Sequence, residues 1–239
     1  MSGSWERNPY DVLIAHMISG PEQTFYEWSE HFLNNIMALP KDLKVLRLRF
    51  PEPEISVSRD KAVQAAIQNG ARWLWFLDTD IICPPDTLAR LMAHNKPIVS
   101  GLYVRRHNPP FNEMLRYRTD GFPGLKPIND GEYTPGSLVE CDAVATGCML
   151  LQVELFEKMQ PFQMTIDGQP ARPAWFLWSE WRTNNGLSED FSFCTRARQQ
   201  GIQVFCDTSI LCRHVGPIKF LPSGNNTLAI EFPGEHRGW

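Results

Sequence analysis

From the amino end, the apolar positions fall into short runs and spaced sets that alternate between strand and helix. Val12 to Ala15 is an apolar run ended by Ser19-Gly20-Pro21, which predicts a buried first strand feeding a loop. Phe25, Trp28, Phe32 and Ile36 then recur at helical spacing, and Pro40 closes the segment. Leu46, Leu48 and Phe50 alternate with Arg47 and Arg49, the period of a strand with one wet face. Ser58 is placed to cap a second helix, whose apolar face is Ala62, Val63, Ala66 and Ile67 and whose left-handed stop is Gly70. Trp73 to Leu77 is apolar at every position, as befits a central strand covered on both faces.

Beyond it, Pro84 and Pro85 open a helix running to about His94, and Pro97 to Val104 predicts another strand. From Arg105 to Ser137 no period is visible and Pro, Gly, Arg and Asn accumulate, which predicts a long loop. Val139 to Val144 resumes as a strand. Gly147 precedes the apolar Met149-Leu150-Leu151 and a short helix around Val153 to Met159, and three tryptophans, Trp175, Trp178 and Trp181, crowd the stretch before Asn184-Asn185-Gly186. Ser188 is placed to cap a helix with Glu189 and Asp190 in its first turn and a stop at Gly201. Gln203 to Asp207 is the last strand, followed by Arg213-His214 and a Pro/Gly-rich tail. The alternation predicts an α/β fold with a mostly parallel, Rossmann-like sheet carrying helices on both faces. With no interdomain linker, residues 1–239 form one expected domain.

Composition narrows this little. The chain of 239 residues is 43% hydrophobic and 21% charged, with no low-complexity tract. Its apolar runs fall far short of the roughly 18–20 residues that span a bilayer. Met1 to Asn8 is polar and lacks a secretory pattern, so a cytoplasmic location is expected. A net charge of -4 supplies no global attraction to nucleic acid. The six cysteines, Cys83, Cys141, Cys148, Cys194, Cys206 and Cys212, show no zinc-site spacing and read as reduced, mostly buried thiols.

The chemistry-bearing residues stand at strand and helix ends. Asp78-Thr79-Asp80 follows the buried strand Trp73 to Leu77, where open α/β sheets bind ligands. Two carboxylates there repel unless a cation neutralises them, and a divalent metal holding a diphosphate does so. Mg²⁺ or Mn²⁺ suits such oxygen ligands, and Mn²⁺ also tolerates an imidazole, which gives His214 a role. Taken singly, these residues equally fit ordinary structure. The aspartates would cap the helix after Pro84, His214 would be a surface or core histidine, and Glu189 and Asp190 would stabilise a helix dipole.

The order of the features is more specific. Trp73 to Asp80, the block Asp142 to Leu151, and Ser188-Glu189-Asp190-Phe191-Ser192-Phe193-Cys194 through His214 resemble GT-A glycosyltransferases, especially small bacterial and phage members of the family 2-like group. The resemblance covers roughly Tyr10 to Gly216. It implies a GT-A fold and transfer of a sugar from a nucleotide-diphosphate sugar, UDP-sugar favoured, to a hydroxyl acceptor with inversion. Asp80 and His214 would ligate the metal, and Asp78 would contact it or the donor ribose. The resemblance places the nucleotide near Ala15, His16, Met17, Arg59, Leu77, Asp78, Thr79 and Gly147. Asp190 matches the general base, with Glu189 beside it. The sequence departs from the family at Asp60, where asparagine is usual, and at His16-Met17 in the first loop.

Two other readings stand beside it. A nucleotidyltransferase would carry a Gly-rich, lysine-bearing phosphate loop near the amino end, and Ile14 to Gln23 contains none. A nucleotide-sugar binding module without turnover would keep the fold. For the acceptor, Arg105, Arg106, Arg116 and Arg118 with Tyr103, Phe111 and Tyr117 suit phosphates and bases or sugars, or else a solvated loop. A glycan or a modified nucleic-acid base would fit. The loop 105–137 and the tail 216–239 are expected to act as lids.

Overall fold

The computed structural model describes residues 10–17, 26–105, 110–121, 124–165, 171–178, 187–215, 219–223 and 227–231. The amino half reads β1 (Val12–Met17), α1 (Tyr26–Met37), β2 (Val45–Phe50), α2 (Ile55–Gln68), β3 (Trp73–Leu77), β4 (Ile81–Ile82), α3 (Thr87–Ala93) and β5 (Ile98–Leu102). Then come β6 (Met114–Tyr117), β7 (Leu125–Pro127), β8 (Leu138–Cys141), β9 (Ala143–Val144), β10 (Cys148–Gln152), α4 (Leu155–Lys158), β11 (Phe162–Met164) and β12 (Arg172–Ala174). The carboxyl part holds α5 (Glu189–Gln199), β13 (Val204–Leu211), β14 (Arg213–His214), β15 (Lys219–Ser223) and β16 (Thr227–Glu231).

Seven strands form the main sheet in the order β2-β1-β3-β10-β5-β13-β8. β2, β1 and β3 run parallel, as do β5 and β13, whereas β10 and β8 are antiparallel to their neighbours. The fold is therefore mixed α/β around a mostly parallel, Rossmann-type sheet, GT-A-like as the resemblance implied. β1 crosses to β2 in one direction and β2 returns past β1 to β3 in the other, so right-handed crossovers put α1 and α2 on opposite faces. All five residues of β3 are buried, and Phe76 meets Phe176, which stacks on Phe193 of α5 at 4.4 Å.

Several boundaries differ from the sequence reading. α2 starts at Ile55, so Ser58 is no cap: it lies inside the helix and ties it to the preceding strand, donating to the Phe50 carbonyl at 3.0 Å and accepting the Glu52 amide. Gly70 ends α2 at φ 54° as expected. The span 105–137 is not devoid of regular structure. It holds β6 and β7, which join β9 in a three-stranded sheet. Strands this short give no readable period. The stretch Val139 to Val144 is two strands in two sheets, parted at Asp142. The last sheet strand continues beyond Asp207 to Leu211 through a register shift, and its polar Thr208 and Ser209 disguise that continuation. Ser188 does precede α5, but its hydroxyl donates to Asp190 and accepts no helix amide.

Candidate functional site

β3 ends at Leu77, and the chain turns at once, with the Ile81 amide donating to the Asp78 carbonyl at 3.1 Å. Asp78-Thr79-Asp80 is thus a tight turn at the carboxyl edge of the sheet, and all three residues are partly exposed. The Trp28 indole N–H donates to the same Asp78 carbonyl at 3.1 Å, and the Asp78 amide donates to Gly147 at 3.0 Å. These bonds fix the turn from both sides.

β14 places His214 here. It pairs antiparallel with β4, so that His214 lies opposite Ile81, and the Val215 amide donates to the Asp80 carbonyl at 2.8 Å. The His214 Nδ1 is 3.0 Å from the Val104 carbonyl. A carbonyl only accepts, so Nδ1 carries the proton. Nε2 then faces the Asp80 carboxylate at 3.4 Å. Both groups offer lone pairs of the kind a divalent cation takes.

Asp78 does not complete a metal set with them. Its carboxylate accepts both terminal nitrogens of Arg59 at 3.4 Å, and among the described residues Asp78, Asp80 and His214 do not close into a compact three-ligand group. Arg59 is 4% exposed, and its Nε donates to Glu189 at 3.2 Å. Burial works against its charge, but Asp78, Glu189 and Asp190 outweigh that and hold its pKa above the ordinary value. Burial raises Asp78 in turn, helped by Asp80 and opposed by Arg59. Glu189 is pushed up to about 7 by burial and then by the neighbouring Asp190 charge, against the pull of Arg59.

Asp190 is held differently. Its Oδ1 accepts the Ser188 hydroxyl and, at 2.8 Å, the Phe191 amide, while Oδ2 accepts no hydrogen bond among the described residues. Asp60, the departure from the family pattern, is structural. Fully buried, it accepts the Trp175 and Phe176 amides at 2.7 and 2.9 Å and pairs with Arg172.

Other predicted contacts fall in the core. Ala15, Met17 and Leu77 are buried, and His16 is 1% exposed, edge-on to Trp28 and Phe32. Its Nδ1 lies 3.3 Å from the Leu77 carbonyl, and burial, with Arg47 second, lowers its pKa to about 3. The His16 side chain is thus a neutral core group. Gly147 is wedged between Tyr103, whose phenol oxygen accepts its amide at 2.8 Å, and the Asp78 turn. Of the arginines read as phosphate-gripping, Arg105 pairs with Glu113 at 2.6 Å, Arg116 faces Glu132 and Arg118 pairs with Asp120, so acids neutralise each; Arg106 lies outside the described residues.

Sequence reasoning offered Tyr103 only as an acceptor-stacking aromatic and missed its place beside the Asp–His pair, where its ring stands edge-on to His214 at 5.6 Å; it missed the buried Glu113 altogether. Alternation about Tyr103 gives no hint of either. It also missed the convergence of Cys83, Cys148 and Cys212, because their partners are remote in sequence.

The protein is thus a mixed α/β one with an acid–arginine network and an Asp–His pair at the carboxyl edge of its mostly parallel sheet. Among solved structures the chain is similar to A197 from STIV, at 15% identity and a TM-score of 0.51, over 92% of this chain and 93% of that one. It is also similar to GalNAc-T7, solved with UDP, GalNAc and Mn²⁺, at 14% identity and a TM-score of 0.47, over 88% of this chain and 45% of that one. No protein family and no curated protein matches the sequence. At such identities the likeness is one of fold. Among the described residues no helix is long and apolar enough to cross a membrane.

Proposed function

We propose that the protein is a metal-dependent glycosyltransferase that moves a sugar from a nucleotide-diphosphate sugar, UDP-sugar favoured, to a hydroxyl acceptor with inversion. The observation that carries this reading is His214, its Nδ1 spent on Val104 and its Nε2 turned to Asp80 beyond the end of β3. Backbone carbonyls orient metal-binding histidines in this way. Asp80 and His214 would hold Mn²⁺ or Mg²⁺, with Asp78 toward the donor. The ion supplies Lewis-acid stabilisation of the departing nucleoside diphosphate.

Arg59 holds Asp78 and Glu189 in place and gives these acids one shared counter-charge, which opposes the upward pull of burial on both. Asp190 serves as the base. Its bonds on Oδ1 orient the carboxylate, and Oδ2 takes the acceptor hydroxyl's proton as that oxygen bonds to the anomeric carbon and the carbon–diphosphate bond breaks.

Calorimetry of UDP with and without Mn²⁺ tests the site. The metal-dependent component should vanish in Asp80→Ala and shrink less in His214→Ala, since water replaces a neutral ligand more readily than a charged one. Undiminished metal-dependent binding in Asp80→Ala rules the site out. Asp190→Asn should keep UDP binding and lose transfer by about two to four orders of magnitude, the usual contribution of a general base. A product of retained configuration with near-normal turnover removes Asp190 from that role.

A further inference from the structure

Three cysteines far apart in sequence meet in the core, two of them adjoining the β4–β14 strand pair that Asp80 precedes and His214 ends. Cys83 follows β4, Cys148 opens β10, and Cys212 joins β13 to β14. The Cys83 sulfur stands 3.4 Å from the sulfurs of both Cys148 and Cys212, and all three lie within 4.8 Å of one another. Their residues are 3%, 0% and 8% exposed.

The surroundings are shaped to this cluster. A Cβ at Gly101 would stand 2.9 Å from the Cys212 sulfur and 2.8 Å from Ile210 Cγ2, so the glycine keeps the space for that sulfur. The Trp75 indole N–H, on a residue with no exposed surface, has no hydrogen-bond partner among the described residues and acts on the nearby Cys148 thiol in the sense that favours its thiolate. Such a donor suits a sulfur that accepts without giving, as a metal-bound thiolate does.

We propose that Cys83, Cys148 and Cys212 form a three-sulfur site for a soft, thiophilic cation, monovalent copper by preference. Thiolates select soft ions. Zinc normally takes four ligands, and no fourth His, Cys, Asp or Glu joins these three among the described residues. With metal–sulfur bonds of about 2.3 Å, a trigonal ion holds its sulfurs about 4.0 Å apart, so each 3.4 Å edge needs to open by only about 0.6 Å. The bound ion ties β4, β10 and the β13–β14 junction together, the segments that fix where Asp80 and His214 stand. The inference is independent of the glycosyltransferase reading.

The test uses the full chain, reduced and free of oxygen, titrated with Cu(I) against a competing Cu(I) chelator, with a second sample refolded in the presence of Cu(I). One equivalent should bind, with an ultraviolet thiolate-to-copper charge-transfer band and three sulfur neighbours in X-ray absorption. Cys148→Ala should lower the affinity by more than the roughly 10–100-fold seen for outer-shell changes. Cys141→Ala, which removes a buried cysteine outside the cluster, should leave it unchanged, and circular dichroism checks that both variants are folded. The three-sulfur count is read on the unaltered protein and holds the idea to account even where a variant unfolds. Absence of stoichiometric binding in both samples, fewer than three sulfur neighbours, or equal losses in the two variants overturns the proposal. A disulfide among the three in protein isolated without reductant overturns it too, because it consumes two of the ligands.

Discussion

Arg59 is the residue on which the site's charge balance turns. It is buried and holds two carboxylates, Asp78 and Glu189, from positions 19 and 130 residues away. Removing one partner of a buried pair leaves uncompensated charge and costs about 3–5 kcal/mol. Arg59→Met should therefore lower unfolding free energy by about that amount in denaturant titrations at neutral pH, and a change within about 0.5 kcal/mol would deny the network its importance. Two titrations at this scale run in opposite senses. Glu189, raised from 4.5 to about 7, binds its proton more tightly in the native state, so its contribution to stability is full below pH 4.5 and falls as pH rises to 7. His16, lowered from 6.5 to about 3, binds its proton first in the unfolded chain, so its contribution is full above pH 6.5 and falls as pH drops toward 3. Stability curves of Glu189→Gln and His16→Phe separate the two, the first variant losing the decline toward pH 7 and the second losing part of the acid sensitivity. Identical profiles for both variants and the parent would contradict both assignments.

At the scale of elements, the sheet edge is held by glycine contacts as much as by strand pairing. A Cβ on Gly147 would stand 2.7 Å from the Tyr103 phenol oxygen and 2.9 Å from Ile81 Cγ1. Both neighbours are buried beside the Asp78 turn, and overpacking of this kind costs about 1–3 kcal/mol. Gly147→Ala should thus lower the melting temperature and weaken metal-dependent UDP binding together, since Gly147 accepts the Asp78 amide. Full binding at reduced stability would detach the glycine from the site. The strands β1, β2, β3 and β5 and the helix α2 were legible because their apolar patterns are long enough to read, and α5 because Ser188, the acids of its first turn and Gly201 mark its ends. Direction was not: nothing in Cys148 to Gln152 distinguishes an antiparallel β10 from a parallel one, since both are buried runs. Nor was the β14–β4 pairing, two residues on each side, although it is what brings His214 to Asp80. The motif order thus singled out acid and histidine positions that the fold brings to one edge of the sheet, while the Arg59 bridge and the cysteine cluster needed the fold.

On the scale of the whole molecule, the segments read as lids have unequal structure. The span 105–137 carries β6 and β7, and β6 pairs with β9, whose chain continues through Ala145 to Gly147 and the Asp78 turn. Glu113 begins this path: its carbonyl accepts the Ala145 amide at 3.1 Å, its amide donates to the Tyr103 carbonyl, and its side chain holds Arg105. A few direct contacts thus link the Asp80–His214 pair to β6–β7–β9, with Tyr103 between Gly147 and His214, and the prediction is that a change at the pair is felt there. The tail carries β15 and β16, which pair antiparallel. If they closed over a bound donor, these segments would exclude water from it. Hydrogen exchange with UDP and Mn²⁺ should accordingly slow at 112–128, at 143–147 and at 219–231 together, while the amides of β1 and β2 stay unchanged. Slowing confined to 78–80 and 213–215 would mean that the ligand binds without engaging either segment. Asp80→Ala gives the control, because exchange at all three segments should then be indifferent to Mn²⁺, and protection that persists in that variant would place the coupling somewhere other than the Asp–His pair.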